Sequence, residues 1–500
     1  MNNSLTISNN QTVDFEQIPI FSYGDFLNYN TDMLANIQNH CVNYYGVMYR
    51  GNLRLINCIA NDSDSLIYVS SSIINNHSGD IYPSLTARHN AFHLFEREIS
   101  ENFDITYSDH PWLKPVRFGV SSTKKSKIED YPFYKMDSHE LHEVAVGPIH
   151  AGIIEPGHFR FICKGEQILN LEIQLGYQHR GIEDLLLKKK NLLQRTLIAE
   201  SIAGDTTIGH TTAFVNIWES LSGYSPDNEK LFVRSLALEL ERIAVHTGDL
   251  SAICSDIAYQ LGAAVFGRLR TPIINFLQSW CGNRLGKGFI RAGENKYPFN
   301  DDLKESLTTI LIDYQKDFDE MIDMLLHHTS SLSRLEKTGV LTFDQVCEIG
   351  AVGLSAKASG LERDIRASHP DSYFKKLNHR HIVKHHGDVY SRTQLRREEI
   401  RQSINYIMQM LSDVSDLGYC PKIELTPKPN SFSISLVEGW RGEICHCAIT
   451  DENGELLHYK IKDPSFHNWT AMELATRQNE ISDFPICNKS FNLSYCGFDL

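Results

Sequence analysis

The sequence predicts an α+β fold: an N-terminal α+β domain followed by a large helical-bundle domain flanked by small antiparallel sheets. Three observations carry this. Residues 168–175 alternate, with Ile168, Asn170, Glu172 and Gln174 on one face and Leu169, Leu171, Ile173 and Leu175 on the other, which predicts a half-buried strand. Residues 229–261, 301–335 and 392–411 place apolar side chains at helical spacing. From Phe432 to Ile461 the pattern changes to strand pairs around a Glu452-Asn453-Gly454 turn.

Taken in order, residues 1–120 form the first domain. Leu53, Leu55 and Ile59, then residues 66–74, read as strands. Residues 85–100 read as a helix, with Ala87, Ala91, Leu94 and Phe95 on one side. Residues 118–140 are polar and charged, and 121–140 is the expected linker. Residues 141–500 form the second domain. It opens on two short strands around the Pro156-Gly157 corner. Gly176 ends the strand at 168–175, and Tyr177, His179, Arg180 and Glu183 cluster after it. Helical spacing begins at Gly181 and is interrupted by small residues at Ala203, Gly204 and Asp205, where another backbone or a ligand can come close. A further break is expected at Gly248.

Composition narrows the function. The net charge of −14 argues against nucleic-acid binding through a basic surface. No apolar run approaches the roughly 20 residues of a membrane span. The polar N-terminus has no signal-peptide core, so the expected location is cytoplasmic. Eleven scattered cysteines suit reduced thiols, and no pair has CxxC spacing. Cys445 and Cys447 are expected to be ordinary buried residues, and the adjacent pairs His327–His328 and His385–His386 to be solvated. No GxGxxG, P-loop or HExxH pattern marks a nucleotide or zinc site.

Residues 175–185, with the His179-Arg180-Gly181 turn, resemble the strand-turn-helix of two related proteins. These are the quinone-site subunit of respiratory complex I and the large subunit of the membrane-bound, energy-converting (group 4) NiFe hydrogenases. Glu98, Glu101, Phe103, His110, Pro111, Lys114, Pro115 and Arg117 resemble the small hydrophilic subunit of complex I, here fused at the N-terminus. Glu155, Gly157, His158 and Arg160 resemble the hydrogenase Glu-Gly-His-Arg turn. Ala356 to Gly360, with Arg363, Asp364 and Arg366, resembles the family's Ala-Arg-Ala-Ser-Gly…Asp-x-Arg segment. Lys357 replaces its first Arg, a point charge for a bidentate fork. Arg441, Gly442 and Glu443 match the family's Arg-Gly-Glu.

The resemblance implies a hydrogenase-large-subunit-like fold and a role in a complex I-like oxidoreductase, with a non-catalytic coupling or scaffold subunit of such an assembly, or quinone reduction in an altered pocket, as the alternatives. By family, NAD and quinone binding, electron transfer and proton translocation come with it. The implied partners are an iron–sulfur small subunit and antiporter-like membrane subunits, with the chain peripheral on the inner face of the cell membrane. The iron–sulfur cluster would lie in the partner, close to His179 and Arg180, although a plain surface ion-pair turn is the other reading of that segment. Lys357 and Arg363 are the remaining cofactor-side candidates. Glu155, His158, Asp205 and His210 are the implied proton-relay residues of a vestigial site. Glu155 sits between apolar neighbours and Pro156, which raises a carboxyl's proton affinity unless Arg160 or His158 compensates. An ion pair with an arginine is its alternative role. His246 and Asp256 are read as structural.

Two cofactors are tested by their ligands. A NiFe centre needs four thiolates, supplied in the family by two CxxC pairs. Aligning on His210 puts the first pair at Ala203 and Thr206. Cys487 and Cys496, near the chain end where the second pair is expected, are nine positions apart. No metal is therefore expected on this chain, and no cofactor of its own. Quinone remains the candidate ligand. The family's first-turn His corresponds to His158 or His150, but its Tyr falls at Gly204, so the usual pose is not expected.

Overall fold

Long helices build the bundle that the apolar spacing predicts. The computed structural model describes residues 4–75, 80–119, 126–151, 154–414 and 417–500. Within them the bundle consists of Asn228–Asp256, Gln260–Cys281, Asp301–His327 and Val389–Asp413. Three of these start at a side-chain cap. Asp227 accepts the Lys230 N–H, Asn300 the Leu303 N–H, and Asp388 the Ser391 N–H, each cap satisfying an N–H the helix cannot. The break expected at Gly248 does not occur. The helix runs through it to Asp256, and the chain turns at 257–259. The missing Cβ admits the next helix instead, since a Cβ there would lie 3.3 Å from Arg270 Cδ. The expected helix at 301–335 is also two, divided at His328 before Thr329–Leu335.

Small, mainly antiparallel sheets flank the bundle, so the fold is mixed α and β. Ser431–Gly439, Gly442–Thr450 and Leu456–Lys462 form the meander that the strand pattern predicts. Thr12–Asp14 adds to its edge beside Ser431–Ser433, so the first residues of the chain complete a sheet near its end. His142–Val146, His158–Lys164 and Gln167–Gln174 form a second sheet. Its last strand is not half-buried. A bulge lets Cys163 pair with Ile168 while Ile162 pairs with Asn170, which shifts the alternation. Ile168 and Leu171 both enter the core, and Glu172 is buried as well. It takes Tyr131 O–H (3.2 Å), Tyr134 N–H (2.6 Å) and the Lys114 ammonium.

The N-terminal residues form a sheet in which Asn52–Asn61 lies between Asn39–Tyr49 and Leu66–Ile74. The strand at 39–49 has no counterpart in the sequence reading. The predicted helix begins late: residues 90–92 are a 3-10 turn, and the α-helix is His93–Phe103. One core joins Phe92, Phe95 and Ile99 to Phe159, Phe466 and Trp469. Another joins Ile56, Cys58 and Val69 to Ile434, Cys445 and Cys447. Across the same boundary Glu98 accepts from Lys460 Nζ at 2.6 Å and pairs with Arg117. Cys445 and Cys447 are buried as expected, while the paired histidines at 327–328 and 385–386 are exposed.

Candidate functional site

The tight turn at 439–442 sets the geometry. Gly442 (φ 133°) and Gly353 (φ 60°) pack backbone to backbone. A Cβ on Gly353 would lie 1.9 Å from the Arg441 carbonyl oxygen, and one on Gly442 would lie 2.7 Å from Gly353 Cα, so the positions require glycine. Arg242 fixes the turn from the bundle, donating to the carbonyls of Gly439 (3.0 Å) and Glu438 (2.9 Å). The turn thereby sends three charged side chains to three places: Glu438 into the bundle, Arg441 into a cleft, and Glu443 towards His40 and Lys462.

That cleft has a volume of about 540 Å³. Its polar wall includes His150, Glu155, Asp205, Asp256, Arg441 and Tyr495; Phe159, Phe161, Phe484 and Leu493 form an apolar wall. Arg441 grips Asp205 with both terminal nitrogens, each at 2.6 Å, and donates to Thr206 Oγ1 (3.1 Å) and the Asn492 carbonyl (2.6 Å). The fork matches the carboxylate plane. Burial works against the charge of Arg441, but Asp205 outweighs it and keeps the guanidinium protonated above its ordinary range. Its plane lies 3.9 Å from the Trp440 ring centroid, and Trp440 Nε1–H donates to the Asp205 carbonyl (2.9 Å).

The expected relay residues divide between the cleft and its surroundings. Glu155, from the 154–158 turn, and Asp205, from the small-residue break, both line the cleft. Ile153, one of the neighbours expected to desolvate Glu155, lies outside the described residues. Neither expected compensator reaches Glu155: Arg160 donates to Glu143 at 2.8 Å, and His158 sits against Phe133 and the Gly147 carbonyl. The first-turn histidine that lines the cleft is His150, not His158. His210 is fully buried behind the break. Its Nε2 lies 2.9 Å from Asp463 Oδ2 and its Nδ1 3.1 Å from His446 Nε2, whose Nδ1 meets Tyr459 O–H at 2.8 Å. Burial alone would raise the pKa of Asp463, yet the hydrogen bond and charge of His210 hold it below the usual range. Burial and the neighbouring His210 keep His446 neutral.

The cofactor-side candidates lie elsewhere. His179 Nδ1 is 2.8 Å from the Asp499 carbonyl. Arg180 is exposed and donates to the carbonyls of Ser201 (2.6 Å), Ile202 (2.8 Å) and Cys496 (3.1 Å), and among the described residues no carboxylate pairs with it. Lys357 is buried among Asp364 (2.9 Å), Glu399 (2.8 Å) and Glu438 (3.3 Å). Burial opposes its charge, and the carboxylates outweigh burial. Arg363 ties this region to the N-terminal sheet through Asp62 (2.9 Å) and the Ile37 carbonyl (3.2 Å).

Residues 256–425 match the family described as respiratory-chain NADH dehydrogenase, 49 kDa subunit. The chain is 24% identical to hydrogenase-4 component G of Escherichia coli, over 83% of its own length and 75% of the relative's. It is 26% identical to the membrane-bound hydrogenase subunit alpha of Pyrococcus furiosus (70% and 85%). It is 27% identical to the D subunit of the NADH-quinone oxidoreductase of Clostridium beijerinckii (63% and 86%). The chain is a homologue of the membrane-hydrogenase large subunits and of the NADH-quinone oxidoreductase D subunits. By their names these relatives are components of hydrogenase-4, of a membrane-bound hydrogenase and of NADH-quinone oxidoreductase.

In this homologue the matched segment supplies Asp256 to the cleft and Lys357, Arg363, Asp364, Arg366 and Glu399 behind it. Sequence reasoning left Asp256, Arg441 and Tyr495 out of the site and offered His150 only as the alternative to His158. Asp256, read as structural, faces the cleft, and burial raises its carboxyl against the opposing Lys489. Arg441 was visible as part of the Arg-Gly-Glu match, but its contact with Asp205 was not. His150 carried a signal in the Gly-Pro-x-His stretch. Tyr495 carried none, since its ring reaches the cleft from a short helix nearly 300 positions away from the break.

Proposed function

We propose that the chain is the large subunit of a membrane-associated oxidoreductase of the complex I and energy-converting hydrogenase kind, coupling electron transfer to ion translocation without a NiFe centre. The relatives support the assembly. One observation supports the departure from hydrogen chemistry: no cysteine lines the described cleft. At the expected thiolate positions stand Ala203 and Thr206, and Thr206 Oγ1 is already bonded to Arg441. Cys487 packs at Gly339 and Arg392, away from the cleft, and Cys496 Sγ contacts Ser494 Oγ at 3.4 Å. A buried guanidinium and an oxygen-rich wall do not fit a site that needs four soft thiolates, so no step is assigned to such a centre.

What the cleft residues can do is hold and move protons. Glu155 and Asp205 both line the cleft, and Arg441 orients Asp205 through its two terminal nitrogens. Glu155 is the group free to exchange a proton. In this reading an iron–sulfur partner binds at Arg180, antiporter-like subunits lie beneath in the membrane, and the complex sits at the inner face. Among the described residues no helix is long and apolar enough to cross a membrane, so membrane attachment falls to those partners. Isolation of the tagged chain under mild detergent tests this: an iron–sulfur protein and polytopic membrane subunits should accompany it.

Quinone binding is a second reading, favoured by the apolar wall beside Tyr495 and His150. A quinone bound there would accept electrons, while Tyr495 O–H and His150 would hold its carbonyl oxygens. Titration with a quinone analogue, followed by Tyr495 fluorescence and repeated with Tyr495→Phe, separates the two: no saturable binding removes the quinone reading and leaves the first intact.

A further inference from the structure

Behind the cleft lies a closed ionic cluster that the proposed reaction does not use. Glu239, Arg242 and His246 come from Asn228–Asp256, Lys357 from Gly353–Lys357, and Asp364 and Arg366 from the following turn. Glu399 comes from Val389–Asp413 and Glu438 from Ser431–Gly439. Each of the four carboxylates and three permanent cations is at most 4% exposed. Four negative charges against three positive ones leave one uncompensated negative charge in a buried site, which burial strongly disfavours.

The imbalance falls on one residue. Glu239 accepts from Arg366 (3.1 Å), Arg242 (3.3 Å) and Ser403. Asp364 has Lys357 at 2.9 Å, Arg366 at 2.8 Å and His379 at 3.3 Å. Glu399 has Lys357 at 2.8 Å, His246 at 2.8 Å and Arg242 at 3.8 Å. Among the described residues Glu438 has the longest Lys357 contact, 3.3 Å, and the Ile365 N–H at 3.0 Å, with the charge of Arg366 acting from beyond hydrogen-bond reach. The neighbours do not correct the balance. Arg396 is neutralised by Asp249 at 2.9 Å. Burial keeps His246 and His379 towards the neutral form, although Glu399 and Asp364 oppose this. Tyr406 O–H contacts His379, and Glu241 points away to the Ile208 and Gly209 N–H groups.

We propose that this cluster stores one exchangeable proton on Glu438, making it an internal proton acceptor behind the cleft. Uptake converts the Glu438 carboxylate to the acid and takes the cluster from one net negative charge to none. Burial, then the charge of Asp364, lifts this carboxyl to about 7, against Lys357 and Arg366, so the exchange falls at working pH. Contacts along one helix lie between the cluster and the cleft. His246 Nε2 holds Glu399, and its Nδ1 has no hydrogen-bond partner among the described residues. Asp249 lies one turn further on the same helix and accepts from Asn492 Nδ2 at 2.6 Å, and Asn492 lines the cleft. The inference rests on charge and geometry and stands whether or not the redox reading above is correct.

Infrared difference spectra of the purified full-length protein, taken between about pH 5 and about pH 9, test it. Glu241, Glu473 and Asp499 also titrate in this window, so the comparison is between variants. Glu438→Gln should lose one titrating buried-carboxyl band and bind one proton fewer across the window. Glu438→Asp should keep the titration with the band displaced, which serves if the amide variant does not fold. An unchanged set of bands in either variant overturns the proposal, as does a wild-type protein with no buried carboxyl titrating beyond those removed together by Glu241→Gln, Glu473→Gln and Asp499→Asn.

Discussion

Arg441 is the side chain on which the cleft depends most. It is 4% exposed; its ion pair is with Asp205, which is 39% exposed, and the charges of Asp463 and Asp249 add to it. Removing the guanidinium costs less than breaking a fully buried pair, because water can reach Asp205. Arg441→Met should therefore lower stability by about 2–4 kcal/mol in denaturant unfolding, and Arg441→Lys, which keeps the charge but loses the fork, by roughly half of that. Glu241 gives a prediction with a defined sign. Its carboxyl is raised to about 8, first by burial, against the Ile208 and Gly209 N–H groups. A group raised in the folded state contributes stability at low pH that is lost as pH climbs from its unfolded value towards 8. Glu241→Gln should match wild type near pH 5 and exceed it near pH 9, by on the order of 2 kcal/mol or more; equal stability at both pH values would exclude the buried acid. Glu155→Gln keeps the shape and removes the titration. It should leave assembly intact and slow ion translocation by the complex, and wild-type pumping would make the residue a structural remnant.

At the scale of elements, the clearest case is the cap at Asp388. One carboxylate oxygen accepts from Ser391 N–H and the other from Lys337 N–H, at 2.8 and 2.9 Å. Asp388→Ala should cost about 1–2 kcal/mol of stability, measured by thermal unfolding. Much of this level was legible in the chain. The meander at 431–462 is marked by its strand runs and the 452–454 turn, and the helices 301–327 and 389–413 by apolar spacing. What was not legible came from contacts between elements. Gly248 reads as a breaker, yet it is a close-packing position against Arg270. The bulge at Leu169 reads as clean alternation and reverses the faces after it. The strand at 39–49 is buried on both faces along most of its length, so it offers no alternation to read. In the site, Glu155 and Asp205 could be placed by motif. His150 and Tyr495 could not be chosen over His158 and Gly204, because only the fold decides which ring turns into the cleft.

Across the whole molecule, the two ends of the chain are built into one another. Thr12–Asp14 is an edge strand of the Ser431–Lys462 sheet, Arg363 is tied to Asp62, and Lys460 to Glu98. Residues 141–500 expressed alone should expose the apolar faces of both shared cores and aggregate, and co-expression with residues 1–120 should rescue them. The Arg180 guanidinium is exposed and has no carboxylate partner among the described residues, and we propose that it faces the partner's cluster. A positive charge near a cluster favours its reduced form, so Arg180→Met should lower the partner cluster's reduction potential, and an unchanged potential would leave only a structural turn. We propose that this large subunit works without a NiFe centre: Ala203 and Thr206 stand where the resemblance places thiolates, and Arg441 and Asp205 line the neighbouring cleft. Elemental analysis of the purified intact complex tests it most directly. Iron from the partner's cluster with no stoichiometric nickel is the predicted result, and about one nickel per complex would contradict it.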